Sequence, residues 1–213
     1  MPAGGEQSSA SAGILTIAIR VSRRVVNHSE TAFKSLEFTL KVFLLGTNHA
    51  PQYLGYKDSF SSEFANYVND IVKTFGIDLI AEEMNEEALE KEARESTART
   101  VALSTGVKHA LCDPDNSERI ALKIPSEEQL KTKLGIGRAM LANQVTELDN
   151  ATREFWPIRE QEWLRRLKCI ESKKCLFILG TEHVQSFTEL LSSREVASEV
   201  LCQKWRPGKI VGS

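Results

Sequence analysis

Two apolar, strand-like runs in this chain end in the same four-residue pattern, Gly-Thr-x-His. The first is Val42-Phe43-Leu44-Leu45-Gly46-Thr47-Asn48-His49 and the second is Leu176-Phe177-Ile178-Leu179-Gly180-Thr181-Glu182-His183. In an open α/β sheet, ligands bind at the carboxyl ends of parallel strands, where the chain passes from buried strand to exposed loop. Two such strands lying near each other place two imidazoles on one rim. That geometry suits metal ligation or paired acid and base chemistry.

The rest of the chain reads as strands alternating with helices. A core strand over Lys41 to Leu45 is followed by a polar loop. A helix from about Ser59 to Phe75 comes next, with Phe60, Phe64, Val68, Ile71, Val72 and Phe75 at helical spacing and Gly76 placed to end it. Asp78 to Ala81 reads as a second strand running into Glu82-Glu83, and Asn85 to about Thr97 as a charged, solvated helix. Val107 to Cys112 is a third strand leading into Asp113-Pro114-Asp115. A long helix is expected over much of Ala139 to Ile170, with Pro157 starting, kinking or interrupting it. Lys174 to Leu179 is the fourth strand, Val184 to Ser192 the helix behind it, and a last strand falls within Val196 to Cys202. This alternation predicts an α/β fold, a mainly parallel central sheet with helices on both faces.

Residues 1–38 read as an N-terminal extension, partly flexible because its first dozen residues are rich in Gly, Ser and Ala. Within it, Leu15, Ile17, Ile19 and Val21 alternate with Thr16, Ala18 and Arg20, the period of a strand. Residues 39–213 form the α/β domain. With 213 residues, 41% hydrophobic content and a formal net charge of −2, the chain suits one soluble domain with a sizeable core. There is no basic excess to recruit nucleic acid. No apolar run approaches the roughly 20 residues that cross a bilayer, so no membrane partner is expected. Cys112, Cys169, Cys175 and Cys202 show no C-x-x-C pairing, which argues against a zinc ribbon and points to a reducing, cytoplasmic compartment.

The ends of the expected strands carry His49, Glu82, Glu83, Asp113, Asp115, Glu182 and His183. An acid at the end of a buried run is costly unless it is exposed, paired or bound to a cation. Two imidazoles and several carboxylates are a fitting ligand set for zinc, manganese or a similar divalent ion, and such an ion generates a nucleophile from water near neutral pH.

The paired Gly-Thr-x-His segments, the Glu82-Glu83 pair after Asp78-Leu79-Ile80-Ala81, and the run Arg159-Glu160-Gln161-Glu162-Trp163 together resemble the TraB/Tiki superfamily, which groups with erythromycin esterase-like and ChaN-like proteins. The resemblance spans roughly Lys41 to Leu190. It implies a divalent-metal-dependent hydrolase of peptidase type, using manganese, zinc or cobalt and acting on a peptide or small-molecule substrate. By position it makes His49, His183 and Glu82 candidate metal ligands, and Glu82, Glu83, Arg159 and Glu160 candidate catalytic groups. Two alternatives stand beside it: a metal-independent, esterase-like hydrolase with a histidine base, and a non-enzymatic binder of haem, iron or a regulatory ligand.

Structural readings compete at each of these positions. Glu82 or Glu83 could simply pair with Arg159, and Asp113 and Asp115 suit a turn or a helix N-cap. His28 and His109 read as structural or surface residues, the cysteines as core, and Trp156 with Trp163 as packing at near-helical spacing.

Overall fold

A computed structural model describes residues 40–55, 58–92, 94–137 and 139–211. The strand expected at Leu15 to Val21, and the rest of the N-terminal extension, lie outside the described residues.

Five strands form one parallel sheet: β1 (Lys41–Thr47), β2 (Leu79–Glu82), β3 (Lys108–Leu111), β4 (Lys174–Gly180) and β5 (Ala197–Cys202), in the spatial order β3-β2-β4-β1-β5. Eight α-helices accompany them among the described residues: α1 (Asp58–Phe75), α2 (Glu86–Lys91), α3 (Thr97–Thr105), α4 (Asn116–Ala121), α5 (Glu127–Leu134), α6 (Ala142–Arg153), α7 (Trp156–Cys169) and α8 (Val184–Ser193). Successive side chains of a strand point to opposite faces. Phe43, Leu45, Ile80, Leu176 and Ile178 therefore pack on one side with Phe64, Val68 and Ile71 of α1 and Ala98 and Val101 of α3. Val42, Leu44, Leu79, Cys175, Phe177 and Leu179 pack on the other with Trp163, Leu164 and Leu167 of α7 and Phe187 and Leu191 of α8. Covered on both faces, β1, β2 and β4 read as continuous apolar runs, as buried parallel strands do. The α/β architecture with helices on both faces is the one the alternation predicts.

Two expected helices are divided. The charged segment after Glu83 makes α2, capped by Asn85, and stops at Lys91. Ser96 then caps a separate helix, α3, its hydroxyl accepting from the Arg99 amide at 3.0 Å. A short polar side chain that can bond the backbone favours a helix start over a helix interior. The long helix expected over Ala139 to Ile170 breaks into α6 and α7, and Pro157 sits in the first turn of α7, where its missing amide hydrogen costs nothing. Three short helices, α4 to α6, fill the excursion before α7. Leu130, Ile136 and Leu148 make a small cluster of their own there.

The chain runs from β1 through β2 to the β3 edge with α1 and α3 on one face, then returns through β4 to β5 with α7 and α8 on the other. The segments leaving the adjacent strands β1 and β4 thus depart to opposite faces, which opens a crevice at their carboxyl ends. At the opposite end of the sheet Asp78 ties the start of β2 to that of β4, accepting from the Ser172 hydroxyl at 2.5 Å and from the Lys173 and Lys174 amides at 2.9 and 3.1 Å. Cys112, Cys175 and Cys202 are buried free thiols, as core cysteines are, whereas Cys169 at the end of α7 is exposed. Among the described residues no helix is long and apolar enough to cross a membrane.

The C-terminal segment closes over the end of β1, where the Trp205 amide donates to the Gly46 carbonyl at 2.7 Å. A Cβ at Gly46 would run into the Gln203 carbonyl and lie 2.6 Å from Val184 Cγ2. Gly46→Ala is therefore expected to destabilise the domain by about 1–3 kcal/mol through overpacking. Urea unfolding checks this, and an unchanged midpoint would show that the C-terminal segment is not held against β1.

Candidate active site

The two Gly-Thr-x-His segments lie side by side but not in step. In the β1–β4 register Thr47 pairs with Gly180 and Gly46 with Leu179, so the second motif is displaced by one residue. Gly46 accordingly faces the α8 side, and Gly180 faces the α1 side together with Leu176 and Ile178. A Cβ built on Gly180 would stand 3.2 Å from Glu83 Oε2, 3.6 Å from His49 Nε2 and 3.7 Å from His183 Cδ2. The missing side chain leaves a cradle in which both motif histidines and one acid converge.

Each histidine is held from behind. His49 opens a single 3-10 turn, Ala50–Gln52, and its Nδ1 lies 2.9 Å from Oε1 of the buried Gln52. His183 ends the corresponding turn, Thr181–His183, and leads into α8. It is buried, with Nδ1 2.8 Å from Glu160 Oε1. Its ring lies 4.1 Å from that of Trp156 and 5.0 Å from that of Trp163. The Ser186 hydroxyl donates to the same Glu160 oxygen at 2.6 Å. A carboxylate or an amide oxygen only accepts, so Nδ1–H donates in both cases and the neutral ring keeps its lone pair on Nε2. His183 Nε2 points toward Glu83, 3.5 Å from Oε1.

Glu83 is buried and fully engaged. Its Oε2 accepts from the Gly180 amide at 2.7 Å, and its Oε1 accepts from Arg159 Nη2 at 2.8 Å. Arg159 also donates through Nε and Nη2 to Asp113 Oδ1 at 3.0 and 2.7 Å. Asp113 further accepts from Trp163 Nε1 at 3.1 Å and from Arg119 Nη2. Burial alone would push the Asp113 carboxyl up, but the guanidinium charges of Arg159 and Arg119 outweigh it and hold the group below the usual aspartate range.

Glu82, one residue earlier on β2, turns to the opposite face. Its Oε1 accepts from the Ser96 hydroxyl and from His109 Nε2, the latter at 2.8 Å, while its buried Oε2 has no partner among the described residues. The structure thus gathers His49, Glu83, Arg159, Glu160 and His183 about Gly180 and sets Glu82 against α3. Asp115 is the N-cap of α4 in a capping box with Glu118. Glu182 pairs with Arg153 at the surface. Gln52, Ser186 and Arg119 join the site without having stood out in the sequence. The first two follow their histidines by three residues, the spacing of one helical turn, whereas nothing local marks Arg119.

As donors, two imidazole Nε2 atoms and a carboxylate suit a divalent ion, and Gln52 and Glu160 are the outer hydrogen-bond partners that ligating histidines take. Among the described residues no group of three or more His, Cys, Asp or Glu side chains is drawn together closely enough to hold an ion. The donor set fits in chemistry, and Glu83 would have to loosen its bond to Arg159 or Gly180 to complete it.

Comparison with protein-family models, with curated proteins and with solved structures finds no match to this chain.

Ionised Asp113 contributes stability that is complete above the ordinary aspartate pKa and is lost as pH falls through its lowered folded value. Asp113→Asn is expected to cost about 3 kcal/mol at pH 7, because Arg119 loses its carboxylate partner and Arg159 keeps only Glu83. That penalty should shrink below about pH 4. Urea unfolding at pH 7, 5 and 3.5 measures it, and a penalty constant across the series would refute the charge-based account.

Proposed function

We propose that the chain is a hydrolase of the TraB/Tiki type, acting on a peptide or small-molecule substrate at the carboxyl ends of β1 and β4, with a divalent ion as cofactor. The observation that carries this reading is the pair of pinned imidazoles. His49 and His183 each spend Nδ1 on a side-chain oxygen, which leaves Nε2 of His49 to the cradle at Gly180 and Nε2 of His183 to the side of Glu83. A single general base needs only one such ring, whereas metal binding uses both. His49, His183 and Glu83 are the residues that would hold the ion, in place of Glu82, which is committed to Ser96 and His109. When bound, a divalent ion supplies Lewis acidity and acidifies water there.

The chain's own groups divide the remaining work. Glu160 orients His183 by accepting from its Nδ1, the place a carboxylate takes behind a ligating imidazole. Arg159, immobilised by Asp113, places Glu83 and lends positive charge next to the position where an oxyanion develops. Trp156 and Trp163 exclude water from one side of His183 and so strengthen these electrostatics.

A second reading is favoured by the engagement of Glu83 on both oxygens: hydrolysis without a metal, in which His183 backed by Glu160 is the general base. Elemental analysis, with hydrolysis of p-nitrophenyl acetate and a mixed peptide pool after chelation and after addition of manganese, zinc or cobalt, separates the two. The first reading expects about one equivalent of metal, lost in a folded His49→Ala/His183→Ala variant, and activity that falls at least ~100-fold with either the metal or the histidines. Chelator-resistant activity that Glu160→Gln lowers by about 100-fold supports the second. Activity indifferent to all of these residues removes both.

Gly180 has φ −59° and ψ 138°, a backbone that any residue adopts. Gly180→Ala is therefore expected to leave the melting temperature within a few degrees while lowering kcat/KM about tenfold or more, because the methyl group occupies the cradle. Unimpaired turnover in that variant would place the reaction elsewhere.

A further inference from the structure

We propose that a small pocket beside the crevice, bounded by Arg119 and Arg159, binds the carboxylate of a short-chain organic acid and receives an acidic end group of the substrate. The substrate half of this statement rests on the hydrolase reading, and the binding half does not.

The pocket has a volume of about 160 Å³. Ile124, Pro125, Leu130 and Phe155 supply its apolar wall, and Arg119 and Arg159 its charge. Both guanidiniums are fixed before any ligand arrives. Arg159 donates Nε and Nη2 to Asp113 and Nη2 to Glu83, and Arg119 donates Nε to the Pro114 carbonyl at 3.1 Å and Nη2 to Asp113. In each residue Nη1 has no acceptor among the described residues. Asp113 is saturated, with three donors on Oδ1 and one on Oδ2, so it has nothing further to offer those two groups.

The other polar groups of the wall are already engaged. The Glu127 carboxylate at the rim is held by Lys131 at 2.5 Å, and the Thr152 hydroxyl donates to the Leu148 carbonyl at 2.9 Å. Two preset guanidiniums with free N–H groups match the planar geometry of a carboxylate. The apolar wall favours a ligand with a hydrocarbon body over a fully hydrated inorganic anion. Its volume lies below the roughly 300–1,000 Å³ of pockets that take drug-sized ligands and suits a short alkyl acid. Arg159 touches Glu83 on one side and lines this pocket on the other, so one side chain joins the pocket to the cradle at Gly180.

The test is a titration of the full chain, labelled with 15N-arginine, with butyrate, inorganic phosphate and butylammonium, reading the Nε–H resonances of Arg119 and Arg159. Saturable shifts of both resonances with butyrate in the millimolar range are expected. Arg119→Gln should weaken that binding about tenfold or more, and His183→Ala should leave it unchanged. No saturable shift, equal binding by a folded Arg119→Gln variant, or phosphate binding as tightly as butyrate overturns the proposal. Should Arg119→Gln fail to fold, butylammonium decides within the parent chain, since an equal response to a cation of the same shape is incompatible with guanidinium recognition. Butyrate binding without hydrolysis keeps the pocket and removes the hydrolase reading. Hydrolysis without butyrate binding does the reverse.

Discussion

Arg159 reaches from α7 to Asp113 beyond β3 and to Glu83 beyond β2, so that one guanidinium fixes two strand ends against the helix that crosses them. Taking a cation and two carboxylates out of water is costly, and such a group persists only where nearly every donor and acceptor is satisfied. The carboxylate oxygens of Asp113 and Glu83 are all engaged here, by groups from three elements: Arg119 of α4, Arg159 and Trp163 of α7, and the Gly180 amide of β4. What the network provides is a unique placement more than net stability. The residue next to Arg159 on α7, Glu160, is set by the same anchor and meets His183.

A single stripe of α7 carries the consequence. Trp156, Arg159, Glu160 and Trp163 recur at the three- and four-residue spacing that puts side chains on one helix face. The two tryptophans enclose the His183 ring while the two charged residues address its nitrogen and its neighbouring acid. Trp163 also packs on Phe177 and Phe187, so the hydrophobic core and the polar site share one side chain. A pair that reads in sequence as packing is packing, and the object packed is a candidate site residue.

Much of the fold was legible because its signals are local. Apolar runs bounded by glycine and charge located the core strands, and β1 and β4 extend only one or two residues beyond the runs themselves. The helix after His49 and the one after His183 followed from periodicity. The divided helices were harder to read because their breaks depend on single capping residues, Ser96 and the turn before Pro157, whose effect competes with a surrounding helical pattern. Of the site, the histidines, Glu83, Arg159 and Glu160 all stood in motifs. The choice between Glu82 and Glu83 was not legible, since adjacent residues on a strand face opposite ways and only the covering helices decide which side holds the crevice.

Periodicity and the cost of burying charge made legible the alternation of strands with helical segments, the burial of β1, β2 and β4, and the concentration of His, Glu and Asp where strands end. The assembled sheet was needed to show that the two Gly-Thr-x-His segments pair one residue out of step. That offset gives identical motifs different tasks: Gly46 admits the C-terminal segment, and Gly180 opens the cradle between His49, His183 and Glu83. Register belongs to the pairing of strands more than a hundred residues apart in the chain, and a shift of one residue exchanges the faces of a sheet, so no local pattern within either motif carries it.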